Sequence, residues 1–185
     1  MKKIKVFLLT VLLAISGTLL HAQTNDMVQM IPVRVIMPVN KDVKGDALTV
    51  LYNRLNQAVT LNGLGSSTNE SRFLIVTSIT VLSKNVTTTI PPQHIAEVEM
   101  AFYFVDNVNK VILAQEMITK KGMDNTDDKA ITRAINSVKA RDPKLKKLIN
   151  VGKKNAIEYY KAIGGTESSE SDDTEPDVLW IFSDN

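Results

Sequence analysis

Side chains able to do chemistry are few in this chain, and they are scattered. There is no cysteine in 185 residues. That removes a thiol nucleophile, a disulfide, a thiolate metal site and an acylated lipoprotein cysteine. Of two histidines, His21 lies in a stretch that reads as an export signal, which leaves His94. Zinc usually takes about three or four protein ligands, and a serine triad needs an imidazole beside its serine. His94, behind Pro91-Pro92, reads as an exposed loop residue.

Carboxylates offer two further options. Glu97 and Glu99 share one face of a strand, but a glycosidase sets its two carboxyl groups on opposite sides of a cleft, about 5 to 9 Å apart. Side-by-side acids without an aromatic sugar platform read as a solvated sheet face. Asp124-Asn125-Thr126-Asp127-Asp128 begins like a calcium loop, yet Lys129 stands where that loop needs glycine and Ile135 where it needs glutamate. A helix cap followed by acids in the first turn explains the same spacing. Lys120-Lys121-Gly122 lacks the glycine spacing and the Ser/Thr of a phosphate loop. The expectation is a chain without catalytic residues, cofactor or bound metal. A carboxylate-based hydrolase of envelope polysaccharide is the enzyme alternative.

Two features point instead to surfaces. Eight bases (Lys139, Arg141, Lys144, Lys146, Lys147, Lys153, Lys154 and Lys161) fall between positions 139 and 161, against only Asp142 and Glu158. They are either a solvated helix face or a dock for anionic material. From Thr166 to Asn185 there are seven acids and no base, and the run ends in Val178-Leu179-Trp180-Ile181-Phe182. Its stretch Thr166–Asp177, rich in Ser, Glu, Asp and Pro, cannot bury surface and reads as disordered. Its apolar tip needs a home, either on its own sheet or in a partner. The acidic tail could also lie over the basic helix as a clamp. The residues expected to bind a partner are Lys144, Lys147, Lys154, Lys161, Leu179, Trp180 and Phe182.

The elements that must position these groups follow from periodicity. Ile31–Val39 reads as a strand edged by Pro32 and Pro38. Asp46 can cap a helix whose apolar face is Leu48, Leu51, Tyr52, Leu55, Ala58 and Val59, and which ends at Asn62-Gly63. Ser66–Ser71 is a polar loop. Arg72–Leu82 is apolar on both alternating faces, as a central strand covered on both sides must be. Ile95–Asp106 alternates Val98, Met100, Phe102 and Phe104 against Glu97, Glu99 and Tyr103. The turn Asp106–Asn109 leads into a partner strand, Lys110–Thr119, closed by Gly122. A second helix buries Ala130, Ile131, Ala134, Ile135 and Val138. A third, begun by Asp142-Pro143, carries Leu145, Leu148, Ile149, Gly152, Ala156, Tyr159, Tyr160 and Ile163. The fold class is α+β: a small mixed, mostly antiparallel four-stranded sheet packed by three helices in the order β-α-β-β-β-α-α.

At the start, Lys2, Lys3 and Lys5 precede an apolar run from Val6 to Leu13 that extends to Leu20, before Leu20-His21-Ala22. This reads as a secretory signal peptide. The run of about 15 apolar residues is short for a span of about 20. The expected domains are a signal (1–22), a linker (23–30), one α+β domain (31–165) and an acidic tail (166–185). The body from Gln23 to Gly165 then holds 19 basic against 13 acidic residues, a surplus of 6. Export makes an envelope protein or an anionic envelope polymer a better partner for that surplus than nucleic acid.

Arg72-Phe73-Leu74-Ile75-Val76 after a helix and a polar loop, Glu97–Asp106 followed by Asn109-Lys110-Val111-Ile112, and Gly122 ahead of Ala130 and Ala134 form a pattern. It is similar to exported bacterial envelope accessory domains of the curli-secretion lipoprotein, penicillin-binding-protein-activator and translocation-protein amino-terminal type. The resemblance covers about Ile31 to Val138. It implies a small sheet flanked by helices that serves binding or assembly rather than catalysis. The chain departs from the lipoprotein members in lacking a lipobox cysteine, and no family site residue carries over. The expected function is an exported, non-catalytic binding or assembly module, periplasmic or secreted. A self-assembling structural subunit is the alternative beside the hydrolase.

Overall fold

The computed structural model describes residues 31–66, 71–162 and Ile181. The expected signal, the linker and the acidic tail apart from Ile181 lie outside them, and so do Leu179, Trp180, Phe182 and the side chain of Lys161. The elements run β1 (Pro32–Val35), α1 (Gly45–Leu61), β2 (Gly65–Ser66), β3 (Phe73–Val86), β4 (His94–Asp106), β5 (Val111–Asp124), α2 (Asp127–Asn136) and α3 (Pro143–Ala162). This is the α+β order read from the sequence, with one addition, the two-residue β2. The sheet order is β2-β1-β3-β4-β5. β1 is parallel to β2 and β3, and the long ladders β3–β4 and β4–β5 are antiparallel.

The three helices cover one face of this sheet, here called the inner face. Strand alternation points Phe73, Ile75 and Ile79 of β3 and Val98, Met100, Phe102 and Phe104 of β4 toward them. Leu51, Leu55, Ile131, Ile135, Leu145, Leu148 and Ile149 fill the gap from the helix side, each almost fully buried. α1 stops where the pattern places its end: Gly63 takes φ 72°, and the Leu64 amide donates to the Val59 carbonyl. Its start differs. Lys44 is the capping residue and makes no side-chain cap, while Asp46 sits in the first turn and accepts from the Ala47 amide at 2.9 Å.

Four further expectations are corrected. β1 is shorter than Ile31–Val39 and lies inside the sheet, because β2 pairs with its outer side. β2 itself takes the first residue of the expected polar loop Ser66–Ser71. β5 runs on through Gly122 to Asp124. Gly122 permits contact there: a Cβ would lie 2.0 Å from the Ala130 carbonyl oxygen and 2.5 Å from the Ala134 nitrogen, so α2 rests directly on the strand backbone. His94 is the first residue of β4, half-buried, and its Nδ1 lies 2.7 Å from Asp127 Oδ1. The ladder to Asp124 draws it out of the loop and under the first turn of α2.

Candidate functional site

The acidic groups on which chemistry could have rested, Glu99 apart, are each tied to a structural partner. Asp124 accepts from the Asn125 amide and meets Arg133 at 2.5 Å. That amide, and then the guanidinium, hold the Asp124 carboxyl below the ordinary carboxylate range. Thr126 Oγ1 caps α2 by accepting from the Lys129 amide, Asp127 meets His94, and Asp128 meets Lys44 at 3.4 Å. The segment is thus a helix start, as its spacing implies. Glu97 lies beside Glu99 on the outer face of β4 and meets Lys121 at 3.6 Å across the ladder to β5.

Among the described residues Asp106 is the most deeply buried acid, fully out of solvent. Its oxygens accept from Arg72 Nε and Nη2 at 2.9 to 3.1 Å, from the Val108 and Asn109 amides, and from the Asn109 side chain. With that many donors an ionised carboxylate is fully satisfied, so it pins the β4–β5 turn and the start of β3 rather than facing a substrate.

The basic helix divides into two groups. β5 is an edge strand, and an open edge invites pairing with other chains. Lys144 Nζ donates to the Met117 carbonyl at 2.7 Å, and Asn155 Nδ2 donates to the Leu113 carbonyl at 2.7 Å. Lys147 meets Glu116 of the same strand at 2.5 Å. These side chains reach from α3 to the edge, where Lys144 and Asn155 occupy two of its carbonyls. Lys154 pairs with Glu158 one turn on, at 3.7 Å, an exposed contact worth at most about 1 kcal/mol. Lys139, Arg141 and Lys146, at the α2–α3 turn and the start of α3, are exposed and make no ion pair with a described residue.

The outer face carries the third feature. Leu74 and Val76 of β3 face Val105 and Tyr103 of β4 as direct cross-strand pairs. Ile181 is seated on them: Leu74, Val76, Val105 and Ile181 form a cluster 0 to 7% exposed, flanked by Ile36 and Tyr103. Burial of one isoleucine stabilises by about 1.5–3 kcal/mol. One residue of the apolar tip, Ile181, is therefore housed on its own sheet. Ile181 is the tip residue placed there, although Leu179, Trp180 and Phe182 were the ones selected from the sequence. Asn155 and Glu116 were also missed, since nothing local marks a side chain that meets a strand 42 residues away.

No family model matches the chain, and no curated protein does. Among solved structures it is similar to the PelC dodecamer of Paraburkholderia phytofirmans, at 15% identity and a TM-score of 0.39, over 60% of this chain and 86% of that one. It is similar also to a minor lipoprotein of Acinetobacter baumannii, at 14% identity and a TM-score of 0.41, over 69% and 94%. A protein described as a neuraminyllactose-binding hemagglutinin homolog from Helicobacter pylori gives 15% and 0.42, over 73% and 90%. A likeness at such identities and TM-scores carries no activity over to this chain. Among the described residues, no helix is long and apolar enough to cross a membrane.

Proposed function

We propose that the chain is an exported, non-catalytic binding or assembly module of the bacterial cell envelope, periplasmic or secreted. It engages an envelope protein or an anionic envelope polymer. The supporting observation is the division of the α3 bases. Lys144 and Lys147 serve the β5 edge, whereas Lys139, Arg141 and Lys146 are an exposed group of cations at the α2–α3 turn and the start of α3. Such a group attracts anionic surfaces and steers their approach. Its finer assignment, to the curli-secretion and activator type of accessory domain, draws support from the Arg72–Val76, Glu97–Ile112 and Gly122–Ala134 segments.

The test is retention from envelope extracts by the immobilised full chain, compared with Lys139→Glu/Arg141→Glu/Lys146→Glu. The expected result is one reproducible protein or polymer that the wild type holds and the triple variant loses. Equal retention by both would remove these cations from the function. Turnover of envelope polysaccharide that Glu97→Gln and Glu99→Gln abolish would instead establish the hydrolase.

A further inference from the structure

Ile181 occupies an apolar patch on the sheet face that no described helix covers, and it lies far along the chain from the last described helix. Eighteen residues separate it from Ala162, the last residue of α3. At full extension that length spans about 60 Å. The helices lie on the inner face and Ile181 on the outer. A chain length of that reach also extends to the outer face of a neighbouring molecule.

We infer that the patch of Leu74, Val76 and Val105, rimmed by Ile36 and Tyr103, is a docking site for an extended apolar peptide. Its own C-terminal segment fills it in one molecule, and the same segment of a second copy fills it between molecules. Three observations select that occupant. The segment already fits, since Ile181 is 7% exposed in place. Exchange of an identical element between copies repeats the same contacts and needs no new complementary surface. The seven acids from Thr166 onward are opposite in sign to the surplus of 6 bases in Gln23–Gly165 of any copy, so charge favours the approach of one molecule's tail to another's body. Within one molecule the tether raises the local concentration of the segment to about the millimolar range, so exchange grows as the protein approaches that concentration. The inference builds on the reading of the tail as an interaction element. It gives the tail a self-recognition role separate from the cations at the α2–α3 turn.

Because Trp180 is the only tryptophan, the site can be read by fluorescence. The receptor is the full chain carrying Trp180→Phe and Ile181→Asp, which has no tryptophan and no side chain to fill the patch. The probe is a synthetic peptide of residues 177–185. Titration to millimolar receptor is expected to shift the peptide emission to the blue and raise its anisotropy, saturably. Affinity should be at least about tenfold higher than for the Trp180→Phe chain that keeps Ile181, whose site is filled. Adding Val76→Asp to the receptor should abolish binding. Val76→Thr, which keeps the side-chain shape and is safer for folding, should weaken it. A mixture of full chains, one Ile181→Asp and one Val76→Thr, should sediment as a heterodimer at millimolar concentration while each alone remains monomeric.

Equal peptide affinity for filled and vacated receptors, no binding to a receptor with native circular dichroism, or a mixture that stays monomeric would each overturn the inference. None of these outcomes touches retention through the α2–α3 turn. Conversely, loss of that retention with peptide binding intact would sink only the earlier reading.

Discussion

The two faces of this sheet are finished in opposite ways. The inner face is closed by three helices held so near that two glycines are needed: Gly122 under α2, and Gly152, where a Cβ would lie 2.4 Å from the Phe104 ring. Its contacts are many, and backbone meets backbone. The outer face carries Glu97, Glu99, Ser78 and Thr80 along its middle and buries its apolar end under Ile181. One face is fixed by volume and the other by a single removable side chain. The difference shows where the molecule can change without unfolding. Loss of the inner cover destroys the core, whereas loss of the outer cover exposes a patch.

That contrast can be broken from the inner side first. Gly122→Ala drives a methyl into the Ala130 carbonyl and the Ala134 amide, neither of which can move alone. The expected loss is about 3 kcal/mol or more in urea unfolding, with α2 displaced. Asp106→Ala comes next. It leaves Arg72, itself mostly buried, without its carboxylate and frees two turn amides. About 3 kcal/mol is expected, measured as a lower thermal midpoint. Ile181→Ser should cost about 1–2 kcal/mol and leave the helix-face core unaltered. Amide exchange should therefore rise around Leu74, Val76 and Val105 while α2 and α3 stay protected. An equal rise across the helices would show that the two faces are coupled.

The smallest effect sharpens the comparison through pH. The Asp124 carboxyl is held below its ordinary value by the Asn125 amide and then Arg133. Its contribution is present above the ordinary aspartate value, near about 4, and is lost as the pH falls through the lowered folded value. The urea midpoints of wild type and Asp124→Asn should thus differ at neutral pH and converge in acid. A difference that persists in strong acid would place the effect of the substitution elsewhere.

Much of the inner face was legible because it rests on local periodicity. The alternation of Phe73, Ile75 and Ile79 with Leu74 and Val76 marks β3 as covered on both sides, and the structure covers both. Helix ends at Asn62-Gly63 and Asp142-Pro143 follow from local capping, by backbone geometry at the first and by the Asp142 side chain at the second. The candidate surface was legible only in outline. A count of lysines shows a basic helix, but the engagement of Lys144 with Met117 depends on two elements meeting at the sheet edge. β2 is too short for any pattern to announce. Gly122 looked like a stop because glycine ends strands as readily as it admits a helix backbone, and only the position of α2 decides between these roles.

Arg54, midway along α1, donates through Nη1 to the carbonyls of Asn136 and Val138, which close the end of α2 more than eighty residues later. During vectorial delivery from the N-terminal end, this anchor for α1 does not exist until α2 has emerged and reached its last turn. The early strands and α1 must wait, unlatched, for the late helix, which raises the contact order of the domain and slows its closure. A chaperone that grasps the nascent chain would find α1 as the segment longest without its latch.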